Sequence, residues 1–282
     1  MTGFYFCSTL MWDADVQQMV DMAISHGFEG IELWAQHVEA KSLDLERLKK
    51  LKKETGLSLI VHAKSWDLNY AALNHAVRKA SLGEIKASID LAEYIGASEV
   101  TVHPPRYTLK ENEEARDRAY DSICRFTDYA DRKKISISME IMEHIPKEMA
   151  TTPKGMRAIV RDLENRLTYT VDLAHCQSEE EFVQNIKDMK RVSKLHISNK
   201  KKNRLHVPIP DGDLDFKRIY PGLQKLRIPM VLEGYEEGKD FETLIKNISY
   251  IKSLKENSYE KENSTFRNSN DTGIGRLQFQ WH

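Results

Sequence analysis

Cysteine is scarce: the 282 residues hold only Cys7, Cys124 and Cys176. The number is odd, the spacing wide and no Cys-x-x-Cys occurs, so neither a disulfide framework nor a thiolate zinc site is implied, and a reducing compartment is expected. Long apolar runs are missing too, since no stretch approaches the ~18 residues of a membrane span. The start "MTGFYFCSTLMW" has no basic segment and too short an apolar run for a secretory leader, so a cytoplasmic protein, neither exported nor embedded in a membrane, is expected. An excess of one charge is absent as well: 42 Lys and Arg stand against 43 Asp and Glu, a net charge of -1. No overall field draws this chain onto nucleic acid or an anionic membrane, and a polyanion would have to be held locally. No G-x-G-x-x-G follows the first strand-like run, which argues against a dinucleotide-binding sheet.

What remains is ordinary for a globular protein, with 40% hydrophobic and 30% charged residues. Strand-like and helix-like runs alternate. "GFYFCS" is followed by "DADVQQMVDMAISHG", whose Val16, Met19, Val20 and Ala23 share one face and whose Gly27 closes it. The same alternation continues through "EGIELW", "LSLIVHA", "SEVTVHPP", "ISISMEI", "LTYTVDLAH", "VSKLHIS" and "IPMVLEGY", each followed by an amphipathic stretch; in "TPKGMRAIVRDLE", Pro153 suits a first helical turn. Eight such units over residues 1–255 predict an α/β fold of the (β/α)8 TIM-barrel type. Residues 256–282, "ENSYEKENSTFRNSNDTGIGRLQFQWH", shift to Asn, Ser, Glu and Lys and predict a polar, flexible C-terminal tail.

The strand ends are chemically loaded. Strand three finishes on His62, four on His103, five on Glu140, six on Asp172, seven on His196 and eight on Glu233. A lone histidine or carboxylate at a strand end is usually a hydrogen-bonded loop residue. In a barrel, however, these ends face one mouth, where Glu140, Asp172 and Glu233 would repel one another severely without a cation. A set of two Glu, one Asp and one His suits Mn²⁺, Co²⁺ or Mg²⁺, and the further histidines tilt it toward Zn²⁺. His175, three residues past Asp172, is expected to orient a ligand or to touch substrate if the chain turns there. Glu32, Trp34, Lys64, Trp66 and Arg106 are placed near the same mouth. There an aromatic wall with a cation fits a sugar or sugar phosphate, rim packing and solvated charge being the plainer alternatives. "PDGDLDF" reads as a turn and a helix start, with Asp213 or Asp215 as N-cap.

The ordered set "VHA", "VHPP", "MEI", "VDLAH", "LHISN", "HVPIPDGDLDF" and "VLEGY", spanning about residues 3 to 254, resembles the xylose isomerase-like TIM-barrel superfamily. That superfamily contains sugar isomerases and epimerases, lyases or dehydratases, and endonuclease IV-type apurinic-site nucleases. The resemblance to single-metal epimerases implies one divalent cation held by Glu140, Asp172, His196 and Glu233. It also implies that Glu140 and Glu233 serve as acid and base in enediolate chemistry at a hydroxy-carbonyl carbon, on a small carbohydrate substrate. In the nuclease branch, which holds three zinc ions, His62 and His103 would share Glu140, and His175 and His206 would serve a third ion. This sequence departs from that pattern at Arg204, which stands two residues before His206 where the nucleases carry Asp, and a cation there would oppose a third metal. His62, His103, His175, His206, Lys64, Trp34 and Arg204 are therefore assigned to orienting or substrate-binding roles. The run "KKKNR", Lys200 to Arg204, reads as a solvated loop, a clamp for one phosphate or a grip on a DNA backbone. Nucleic acid is the less favoured partner, and a homo-oligomer stays open.

Overall fold

The computed structural model describes residues 3–269. In chain order its strands are β1 (Phe4–Cys7), β2 (Gly30–Trp34), β3 (Ser58–His62), β4 (Glu99–Val102), β5 (Ser136–Ile141), β6 (Thr168–Asp172), β7 (Val192–Ile197), β8 (Asn199–Lys201), β9 (Arg204–Val207) and β10 (Met230–Leu232). Its helices are α1 (Val16–His26), α2 (Ala35–Lys41), α3 (Leu45–Thr55), α4 (His75–Ile95), α5 (Glu113–Lys133), α6 (Pro153–Val160), α7 (Glu179–Asp188), α8 (Phe216–Leu226) and α9 (Glu242–Ser269). Eight strands close a barrel in the order β1, β10, β7, β6, β5, β4, β3, β2. Every neighbouring pair is parallel, and helices fill the crossovers. This is a (β/α)8 TIM barrel, as the alternation predicted.

Local chemistry sets the helix ends. Asp15 and Gln18 form a reciprocal capping box at the start of α1, and Gly27 ends it in the left-handed region at φ 67°. Thr152 caps α6 with Pro153 in its first turn. Of the two aspartates expected to cap α8, Asp215 does so, accepting from Arg218 N at 3.2 Å. Asp213 instead accepts from Lys202 N at 2.7 Å.

Strand alternation divides each strand between two environments. Outward residues such as Phe6, Ile31, Val61, Val100, Met139 and Leu195 pack against the helices in one continuous apolar core. The inner face is different. Only Tyr5, Cys7, Trp34, Ile60 and Val231 form an apolar cluster there. Glu32, Thr101, Ser138, Thr170, Lys194 and His196 are also buried. Gly30 makes room at the narrow end: a Cβ on it would lie 2.2 Å from Ser58 O and 2.4 Å from the Tyr5 ring. At that end Lys194 Nζ meets Glu99 at 2.5 Å, and the carboxylate also accepts from Thr168 Oγ1 at 2.8 Å and Ser193 Oγ at 3.1 Å. At this end of the barrel axis the buried charges of Lys194 and Glu99 are paired across the barrel.

Three features go beyond the eight units read from the sequence. Helix α2 follows β2 directly. The run expected as a loop at Lys200–Arg204 is part of an antiparallel hairpin, β8–β9, turning at Lys202 and Asn203. Helix α9 runs on past Lys255 to Ser269, so the tail expected from residue 256 begins helical; residues 270–282 lie outside the described part of the chain.

Candidate metal centre

Four side chains converge at the C-terminal mouth: Glu140 from β5, Asp172 from the end of β6, His196 from β7 and Glu233 just after β10. Each offers a donor atom, all within 4.8 Å of one another. Neighbouring strands β6 and β7 put Asp172 and His196 in register. His196 Nδ1 lies 2.8 Å from Glu233 Oε2 and 3.3 Å from Glu140 Oε1. Glu140, Asp172 and His196 are fully buried and Glu233 is 5% exposed.

Two flanking groups share these carboxylates. His62 and His103 approach Glu140 on one side, with their Nε2 atoms 3.1 Å apart and 3.6 and 3.3 Å from Glu140 Oε2. His62 Nδ1 faces Ala63 O at 2.8 Å, so its proton belongs there and Nε2 is left as a donor atom. On the other side Asp172, His175 and His206 form a third set. His175 likewise turns Nδ1 to a carbonyl, Ile141 O at 2.9 Å, and His206 Nδ1 lies 3.0 Å from Ser198 Oγ.

The donor chemistry fits a divalent cation. Both oxygens of Glu140, Asp172 Oδ2, Glu233 Oε2 and both ring nitrogens of His196 are buried without a hydrogen-bond partner. Such atoms are costly to leave unsatisfied, and a cation at their centre would satisfy the set at once. In the metal-free protein, protons take over that task. Burial pushes the Asp172 carboxyl up to about 7, with Glu233 adding to the rise. Burial would lower His175, but Asp172, Glu140 and the neighbouring glutamates push it up to about 9. His196 rises well above the usual imidazole range because Glu233, Glu32 and Glu140 outweigh its burial.

The sign of the resulting pH dependence follows from the raised values. A group whose folded pKa is raised lends stability below its unfolded pKa and loses it as pH climbs through the folded value. For His175 that window runs from about 6.5 to about 9, on the order of 3 kcal/mol. With EDTA present, the melting temperature is expected to fall between pH 6.5 and 9.5. With Mn²⁺, Co²⁺ or Zn²⁺ present, the gain from the metal should grow over the same range, because the donors must release protons to bind it. A melting temperature flat in EDTA across that window would contradict the protonated network.

Other residues expected at the mouth divide. Trp34 is buried and stacks on His62 with centroids 3.8 Å apart. Trp12, Trp66 and Tyr235 continue the aromatic wall, with Trp12–Tyr235 at 5.2 Å and Trp12–Trp66 at 5.7 Å. Lys64 and Arg106 line a pocket together with His103 and Glu148; Lys64 is gripped by Glu39 of α2 and Glu84 of α4, as Arg106 is by Glu148. Arg204 is exposed and lies on β9, two residues before His206. His206 adopts φ 53°, in the left-handed region. Glu32, read as a rim residue, is instead fully buried beneath the site, its Oε2 2.9 Å from His196 Nε2. "GIELW" alternates like any strand, and Glu32 on its inward phase is the one local sign of this.

The sequence pattern of the family described as xylose isomerase-like TIM barrel matches residues 20–254. The chain belongs to that family. It is 24% identical over 267 residues to the uncharacterized protein MJ1188 of Methanocaldococcus jannaschii, covering 88% of this chain and 97% of the relative. Among solved structures, a D-tagatose 3-epimerase-like protein superposes with a TM-score of 0.76 at 22% identity, covering 92% of this chain and 98% of the other. The 3-keto-D-glucoside 4-epimerase YcjR of E. coli follows at 0.73 and 17%, covering 90% and 99%. An L-ribulose 3-epimerase gives 0.73 and 15%, covering 93% and 97%. These likenesses establish the shared barrel. Among the described residues no helix is long and apolar enough to cross a membrane.

Proposed function

We propose that this chain is a divalent-metal-dependent isomerase or epimerase of a sugar or sugar phosphate. The observation that carries the reading is the buried set Glu140, Asp172, His196 and Glu233, whose facing oxygens and ring nitrogens lack partners. The epimerases among the structural neighbours act on sugars and share this barrel. When bound, the cation would polarise a substrate carbonyl and offset the negative charge that develops on it. The protein's own groups do the rest. Glu233, the one member of the four that reaches the surface, takes the carbon-bound proton, and Glu140 stands across the centre to return one. The wall of Trp12, Trp34, Trp66 and Tyr235 offers an apolar face for a sugar and limits water. A lyase or dehydratase would share the proton-removal step.

A second reading has an observation of its own. The flanking sets His62–His103–Glu140 and Asp172–His175–His206 supply donors for two further cations, as in an apurinic-site nuclease, and the exposed Lys201, Lys202 and Arg204 lie on the hairpin that carries His206. Elemental analysis separates the two. About one tightly bound Mn²⁺, Co²⁺ or Zn²⁺ per chain is expected, together with deuterium uptake from D₂O into a ketose. Three zinc ions per chain, with zinc-dependent cleavage of abasic duplex and binding that weakens by about 0.9 in log K per phosphate contact for each unit of log salt, would reverse the assignment. Absence of any bound metal would remove both.

A further inference from the structure

Besides Glu99, which pairs with Lys194 at the other end, the barrel interior holds a buried carboxylate that the donor groups do not use. Glu32 is fully buried on β2 and belongs to none of the three sets. Its Oε2 lies 2.9 Å from His196 Nε2, on the opposite edge of the ring from Nδ1, which faces Glu233 and Glu140. Glu32 is itself held in place. Thr101 Oγ1 donates to its Oε1, and Cys7 Sγ donates to Oε2 at 3.3 Å, so the carboxylate is tied to β4 and β1 and kept below the donor cluster.

Ring chemistry turns this geometry into a role. An imidazole that offers the Nδ1 lone pair to a cation carries its proton on Nε2. A buried N–H needs an acceptor, and one oxygen stands at hydrogen-bonding distance from it. The pair stands at hydrogen-bonding distance, 2.9 Å, without the alignment of a full hydrogen bond.

We propose that Glu32 is a positioning residue: it accepts the Nε2–H of His196, which fixes the imidazole tautomer and turns Nδ1 toward Glu140, Asp172 and Glu233. The proposal rests on the reading of those residues as a cation site. Glu32 touches neither substrate nor cation. Its effect reaches the centre through the ring, as the outer carboxylate of a carboxylate–histidine–metal arrangement does.

The test compares wild type with Glu32→Gln and Glu32→Ala, using Zn²⁺ as the probe. Zinc affinity is measured by competition with a chelator, and the protonated ring nitrogen of His196 by long-range ¹H–¹⁵N NMR of the zinc-loaded protein. Glu32→Gln keeps the shape and one acceptor oxygen and should weaken zinc about 10-fold, and Glu32→Ala, with no acceptor, about 100-fold. In wild type the proton should sit on Nε2 with a downfield resonance that moves upfield in Glu32→Gln. If Glu32→Ala does not fold, the near-isosteric Gln variant carries both measurements. Zinc binding unchanged in the folded variants, or a wild-type His196 protonated at Nδ1, would overturn the proposal and leave the metal site standing. A wild type that takes up no zinc would remove the metal site and this proposal together.

Discussion

Glu233→Gln is expected to leave the barrel folded, to weaken metal binding partly, and to lower deuterium exchange into a processed ketose by about 10³-fold or more, within the range a positioned acid or base supplies. The argument begins with the backbone. Glu233 follows β10 and its N–H donates to Ile197 O at 3.2 Å, while Thr9 Oγ1 donates to Gly234 O at 2.6 Å. These bonds do not involve the carboxylate, so the substitution does not disturb them. Gln keeps one oxygen that a cation can use but cannot accept a proton from carbon. Glu233 is also the one member of the four-residue set with any exposure, 5%, Glu140, Asp172 and His196 being fully buried. Exchange at the wild-type rate in the variant would assign the base elsewhere, with Glu140 the first alternative.

His196→Ala is expected to destabilise the metal-free protein by about 3–5 kcal/mol, the usual effect of removing one partner from a buried charge cluster. Three carboxylates lean on this ring: Glu233 at 2.8 Å, Glu32 at 2.9 Å and Glu140 at 3.3 Å. The charge of His196 helps to hold Glu32 and Glu140 well below the usual carboxylate range against their burial. Without the ring, buried negative charge is left with less compensation. Urea unfolding with EDTA present isolates this effect from loss of the cation. A change below about 1 kcal/mol would show that the cluster does not depend on His196 for charge balance.

The barrel itself was legible in local pattern. Strands such as "LSLIVHA" and "ISISMEI" are apolar runs of strand length, and caps such as Asp15, Gly27 and Pro153 punctuate the helices between them. The polar residues that end successive strands were legible for the same reason, because a barrel brings all its strand ends to one mouth whatever the details of its helices. Helix α2 and the β8–β9 hairpin were not, since seven- and three-residue elements carry too little periodicity to stand out from a loop.

Charge compensation was decided in the tertiary structure. Lys64 looked like a free cation at the mouth until α2 and α4 placed Glu39 and Glu84 against it. Glu32 looked like a rim residue until closure of the barrel set β2 opposite β7 and brought it to His196, 164 residues away in the chain. The sequence by itself determined which elements form and which residue types finish each strand, because helix and strand periods and caps act over a few residues. Which of those residues meet, and whether each is paired or left for a cation, depends on distances across the closed barrel. Electrostatic energies vary with such distances and with burial, and neither is written in local pattern.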